Sequence, residues 1–416
     1  MNSFLSKWLS ISILNLSFVA ALGLILRYKI AYSLPFLDQK YILHSHSHFA
    51  FSGWITQTLM ILMIFYLSKT LGKEIISRYY WLLYANLISS YGMMISFIIQ
   101  GYGLYSISFS TFNIFAFYAF AIYFWQDLNK IKEKSTTKLW FKASLIFGVI
   151  SSIGAFNLAY MMANKMTDQN WYLASVYFFL HFQYNGWFLF AGMGLLNDKL
   201  EIITGERKKL YRAFQLFCFA CVPAYFLSIL WLESITNIYY VLIVPVAAQL
   251  AGWFVLLKVC NNNRSIITQK ITKHGKILLL LSALAFSIKL ILQTGSIHPE
   301  LSHISYGFRP IIIGYIHLVL LGVTSIFILG YIVSFELIRI NKLLITGIII
   351  FVAGIIINEL LLLIQGVAAF SYTGIPYINE MLLGAAIILL TGILIMLISR
   401  FRIYEKEHRL KKINSI

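Results

Sequence analysis

The sequence predicts an all-α, polytopic membrane protein with twelve transmembrane helices in three pseudo-repeated four-helix arcs. Three observations lead there. Of the 416 residues, 60% are hydrophobic and only 12% are charged, whereas a soluble domain carries about a quarter charged residues. The apolar residues fall into runs of about 20, the length that crosses a bilayer. One short histidine–glycine motif returns at nearly equal intervals, on every fourth run.

The runs lie at about 9–26, 42–67, 80–100, 104–125, 140–162, 171–196, 212–232, 237–257, 276–293, 309–333, 343–364 and 379–399. Lys7 precedes the first, but no small-residue cleavage site follows it, so it reads as a span and not as a removed signal. The segments between runs alternate in charge. With the N-terminus inside, the inner segments hold 26 Lys and Arg and the outer ones hold 5, namely Arg27, Lys29, Lys40, Lys165 and Arg309. The positive-inside rule then places both termini in the cytoplasm and the chain in the inner (cytoplasmic) membrane. The net charge of +18 is therefore topological, and it points to the lipid bilayer and not to nucleic acid. Three cysteines, Cys218, Cys221 and Cys260, are too few for a disulfide framework.

The motif runs from His48 to Gly53 and Trp54 on the second span. It returns from His181 to Gly186 and Trp187 on the sixth, and from His317 to Gly322 and Val323 on the tenth. The steps are 133 and 136 residues, four spans each, and all three spans run in the same direction. The single membrane domain thus divides into pseudo-repeats of about 1–139, 140–275 and 276–416. Each carries a histidine near the outer end of its second helix. A glycine five residues after each histidine allows close approach of a helix or a flat ligand.

Ionisable side chains inside a membrane are costly and mark function, and imidazole is both a common metal ligand and an axial ligand for heme iron. His44 and His48, four apart, share a helix face and are spaced to chelate one small metal ion; His46 points the other way. Solvation of the helix mouth is the plainer reading of His44 and His46. His181 stands beside Gln183, Tyr184 and Asn185, a group that belongs at the bundle centre or in a wet cavity, either as a satisfied core histidine or as a metal ligand. The loop before span ten carries His298, Glu300, His303 and Arg309. It reads as an ordinary polar loop, or as an extension of a metal site with Arg309 as a clamp for a carboxylate. Lys289 and Glu359, both intramembrane near the outer ends of their spans, are read as a pair, with snorkelling by Lys289 as the rival explanation. Cys218 and Cys221 form a CxxC read as helix packing, away from the level of the histidines. Asn86, Gln100, Asn157, Gln249 and Asn358 do not line up as one polar route by periodicity. No nucleotide loop or Ser–His–Asp arrangement is present.

Twelve helices, cytoplasmic termini, four-helix arcs and histidines on helices two, six and ten together resemble the heme-copper oxidase subunit I superfamily, which includes the nitric oxide reductase catalytic subunit. The resemblance implies a heme held by His48 and His317, with Arg309 near a propionate. It also implies copper at His181, and an electron-donor subunit or quinol as partner. The departures are specific. Tyr315 stands where the oxidases carry a second helix-ten histidine. The region Ser228 to Glu233 has no copper-binding histidine pair, and Tyr184 follows His181 by three residues and not four. The resemblance therefore implies respiratory electron transfer, or nitric oxide metabolism or resistance, and not oxygen reduction. The NnrS-type heme- and copper-containing proteins, with His-x-His at the start of helix two, are similar too. Apart from the resemblance, two other readings stand: a transporter or channel with a histidine-lined path, and an assembly factor whose histidines only pack.

Overall fold

A computed structural model of the chain describes residues 3–232, 239–298 and 308–413. Helix accounts for 87% of it, and no strand occurs among the described residues. An ordinary soluble domain is roughly one-third helix. The all-α class follows directly.

Ten helices among the described residues are long and apolar enough to cross a membrane: Phe4–Ala31, Gln39–Leu71, Lys73–Gln100, Leu104–Lys130, Thr136–Ala163, Tyr239–Asn262, Lys273–Gly295, Arg309–Ser334, Lys342–Ala369 and Ile378–Arg402. The pair Arg207–Cys221 and Pro223–Ile229, bent by 46°, makes an eleventh if taken as one span. The bend has a local cause. Pro223 has no N–H to donate to the turn before it, and the chain tightens there into 3-10 helix. The stretch Gln169–Thr204 is unbroken helix. It is rich in aromatic and amide side chains and is not among the ten.

The helices present apolar faces outward and bury polar side chains within a largely apolar core. On Lys273–Gly295 the exposed face carries Leu280, Leu284, Ile288 and Ile291, while Ser282, Lys289 and Gln293 are buried. Apolar faces of this extent suit lipid tails and not water. The chain has the architecture of a multi-pass membrane protein.

Packing divides the chain into two compact units. One comprises Met1–Phe65, Glu74–Phe117 and Ile332–Ile416, and the other Tyr66–Lys73 and Tyr118–Tyr331. In the first unit, Lys342–Phe370 and Ile378–Ile413 approach through glycines. A Cβ on Gly392 would lie 2.5 Å from the Phe351 amide nitrogen, and one on Gly347 would lie 2.8 Å from the Gly392 carbonyl. Buried Arg400 ties the last helix to the first, with Nη2 donating to Ser6 Oγ at 2.9 Å and Nε to Ser10 Oγ at 3.2 Å. The second unit has an aromatic core, in which the ring of Phe190 packs 5.0 Å from Trp140 and 4.9 Å from Phe147.

Candidate functional site

The three motif helices share one backbone irregularity. Each carries a π-helical stretch: Ala50–Thr56, Phe182–Phe188 and Leu318–Ser325. Each stretch begins one or two residues after the motif histidine and contains the motif glycine. π-Helix is well under 1% of protein structure, and its short insertions gather at functional sites. The α-helical segments leading to the histidines are 11, 13 and 9 residues long, which sets the histidines roughly 12–18 Å from their helix starts. Two of these starts are capped by aspartate. Asp38 accepts from Lys40 N and Tyr41 N, and Asp168 accepts from Trp171 N. The third begins with Arg309 and Pro310.

A switch from i−4 to i−5 bonding disturbs the carbonyl ladder, and buried carbonyls need donors. Neighbouring helices supply them. Asn86 Nδ2 donates to the Ser52 carbonyl at 3.1 Å, and Asn15 Nδ2 to that of Gly53 at 2.6 Å. The Cys221 thiol donates to the Asn185 carbonyl at 3.7 Å, and Ser282 Oγ to that of Val323 at 2.8 Å. Ser52 and Asn185 are equivalent positions, each directly before the motif glycine. The glycines serve packing. A Cβ on Gly186 would meet Phe147 Cβ at 2.6 Å, one on Gly53 the Phe49 ring at 2.6 Å, and one on Gly322 the Ala285 Cβ at 3.3 Å.

In the first unit, His44 and His48 share a face, as their spacing predicts. The His48 ring stacks on Phe97 at 4.5 Å, and its Nε2 is 3.1 Å from the Tyr102 hydroxyl. His44 meets Tyr102 edge-on at 4.6 Å. His46 turns the other way, to the first helix, where its Nδ1 donates to the Val19 carbonyl at 3.0 Å and its Cε1 lies over Gly23. All three are half-buried. Tyr102 and Phe97 carry no motif and were not legible as partners of the histidines.

In the second unit, His181 is 1% exposed. Its Nε2 donates to the Cys221 carbonyl at 2.8 Å, and its Nδ1 lies 3.2 Å from Asn185 Nδ2. The first bond puts the proton on Nε2, so Nδ1 accepts from the amide. The carbonyl is within reach because the Tyr225 N–H bonds Val222 at i−3 in the 3-10 turn. The CxxC is therefore not remote from the histidine level, as the sequence suggests. Cys221 contacts the His181 motif through both its carbonyl and its thiol. His317 is half-buried, with Nδ1 donating to the Ile313 carbonyl at 2.8 Å. That bond fixes the proton on Nδ1 and leaves the lone pair on Nε2, the arrangement of a metal-ligating imidazole. Tyr315 packs edge-on against Tyr184 at 6.4 Å.

Lys289 and Glu359 have separate partners. Lys289 Nζ donates to Gln293 Oε1 at 2.5 Å, and Gln293 Nε2 to Gln249 Oε1 at 2.9 Å. Glu359 accepts from Asn358 Nδ2 at 3.1 Å and lies in the field of Arg27. Lys289 belongs to the second unit and Glu359 to the first. Asn157 is likewise used locally, donating to Ser175 Oγ at 2.6 Å. Arg309 is exposed at the start of the helix that bears His317, and His298 is exposed. Glu233, Glu300 and His303 lie outside the described residues. No cluster of three His, Cys, Asp or Glu side chains poised for a metal ion occurs among the described residues. No protein-family profile matches the chain, and no curated protein matches its sequence.

Proposed function

We propose that the chain is a heme-binding protein of the inner (cytoplasmic) membrane, related to heme-copper oxidase subunit I and serving respiratory electron transfer or nitric oxide metabolism or resistance. The observation that carries this reading is the recurrence of one device on three helices: a histidine followed at once by a π-helical turn around a glycine. In this reading the spans number twelve, in three four-helix arcs, with both termini cytoplasmic. The bent pair at Pro223 and the aromatic helix Gln169–Thr204 join the ten strongly apolar helices.

His48 and His317 are the proposed axial ligands, with Arg309 for a propionate. The Nδ1–H bond of His317 suits ligation through Nε2. His48 would hold the group through Nε2, the nitrogen that lies 3.1 Å from the Tyr102 hydroxyl. A heme held by two imidazoles supplies one-electron exchange, tuned by its ligands and surroundings. Phe97, stacked on His48, supplies an apolar wall. Copper at His44 or His181 is a lesser part of the proposal. His181 would hold copper only through a ring nitrogen that now bonds Asn185 or Cys221. Electrons come from a partner subunit or quinol, since the chain has no CxxCH for covalent heme.

The test is spectroscopic. Full-length protein from heme-replete cells, purified in detergent, is expected to show a Soret band and a bis-imidazole low-spin spectrum. His48→Ala and His317→Ala are each expected to abolish the low-spin signal. His46→Ala is the control. Its Nδ1 is bonded to a backbone carbonyl as that of His317 is, so loss of the signal in this variant alone moves the ligand from His48 to His46. Colourless protein after heme supplementation overturns the proposal in favour of the transporter reading.

A further inference from the structure

A cavity of about 490 Å³ opens where the segment after Leu104–Lys130 meets the starts of Thr136–Ala163 and Arg207–Cys221. Lys134, Lys138 and Lys142 line one side of it, Arg207 and Lys208 the other, and no acidic residue lines it. Most of the nearby acids are committed elsewhere, and Glu133, beside Lys134 in the sequence, is exposed and does not line the cavity. Asp127 holds Lys130, Asp198 holds Lys199, and Glu206 holds Lys209. Glu201 takes Arg207 Nε at 3.3 Å, along with Ser135 and Asn197. Lys134, Lys138, Lys142 and Lys208 have no carboxylate within ion-pair distance among the described residues.

Two of these lysines are held in place. Lys138 Nζ donates to the Ile131 carbonyl at 2.5 Å, and Lys142 Nζ sits over the Trp125 ring at 4.7 Å. Four cations that line one cavity with no carboxylate among its lining residues repel one another, and an anion between them relieves that repulsion. The same place is apolar below. From Leu139 an exposed stripe runs down Thr136–Ala163 through Ile146, Val149, Ile153, Phe156 and Tyr160. A free phosphate has no use for such a stripe, whereas an acyl chain does.

We infer that this cavity binds the phosphate headgroup of an anionic phospholipid, with its acyl chain along the Leu139–Tyr160 stripe. Basic pockets between spans on the cytoplasmic side are matched to such headgroups. The inference stands independently of heme.

The test uses full-length protein in nanodiscs of phosphatidylcholine doped with phosphatidylglycerol, with the retained lipid counted by native mass spectrometry. Wild type is expected to keep phosphatidylglycerol in excess of its share of the bilayer. Retention should fall roughly fivefold for each lysine changed among Lys134→Gln, Lys138→Gln and Lys142→Gln. Lys208→Gln, on the opposite wall, is a second variant in case the triple variant misfolds, which circular dichroism detects. Lys258→Gln with Lys273→Gln lowers net charge away from the cavity and is expected to change nothing. Equal loss in that control overturns the site in favour of net charge. If inorganic phosphate in pure phosphatidylcholine nanodiscs raises the melting temperature as much, and displaces phosphatidylglycerol, the lipid assignment is overturned in favour of a free anion.

Discussion

Nε2 of His181 donates to the carbonyl of Cys221 at 2.8 Å. This bond joins the His181 motif to the break before Pro223, and Asn185 completes it from the other ring nitrogen. His181→Ala leaves a buried carbonyl and a buried amide without their partner, at about 1–3 kcal/mol for each group. The variant is expected to melt several degrees below wild type in detergent. His181→Gln, which keeps a donor, should recover part of the loss. Unchanged melting of His181→Ala would show that the histidine is not a structural tie.

Asn86 does more than Asn15 for the first π-turn. Asn86 donates to the Ser52 carbonyl and Gln57 Oε1 and accepts from Asn113, while Asn15 donates to the Gly53 carbonyl and accepts from Tyr91. Asn86→Leu is expected to cost about 2–4 kcal/mol and Asn15→Leu about 1–2 kcal/mol. Amide hydrogen exchange over Ala50–Thr56 should quicken in both, and more in the first.

The motif glycines are predicted to differ. At Gly186 an added methyl meets Phe147 Cβ at 2.6 Å, an atom fixed to backbone. Gly186→Ala therefore forces the two helices apart, at a cost of about 1–3 kcal/mol. At Gly322 the nearest atom is Ala285 Cβ at 3.3 Å, so Gly322→Ala needs only a small shift and costs less than about 1 kcal/mol. Thermal unfolding of the two variants side by side reads the difference.

Lys289 and Gln293 are expected to respond with opposite signs. Lys289 is 2% exposed, and its hydrogen-bond acceptor is Gln293. Lys289→Met removes a charge from the interior and is expected to be neutral or stabilising. Gln293→Leu leaves the ammonium without that acceptor and is expected to cost about 3–5 kcal/mol. Equal melting of both variants would refute this account.

Ten of the twelve expected spans were legible among the described residues because the bilayer imposes a length and a composition that no tertiary contact alters. The placement of His44 and His48 on one face, and of His46 on the other, was legible for the same local reason, since helical period decides it. The partners of those side chains were not. Lys289 found Gln293, and Glu359 found Asn358, because each had an amide one turn or one residue away. The sequence offers no rule for choosing one such amide over another. Cys221 was misjudged because the 3-10 turn after it redirects its carbonyl, and only the packed neighbour reveals who receives it.

By itself, then, the sequence determined an all-helical membrane chain and a histidine–glycine motif in three copies, since hydrophobic length, helical period and repetition are properties of the string. Only the tertiary structure decided that each copy opens into a π-helical turn. That turn exists because a neighbouring helix brings an asparagine, a cysteine or a serine to its carbonyls, and such donors lie tens of residues away along the chain.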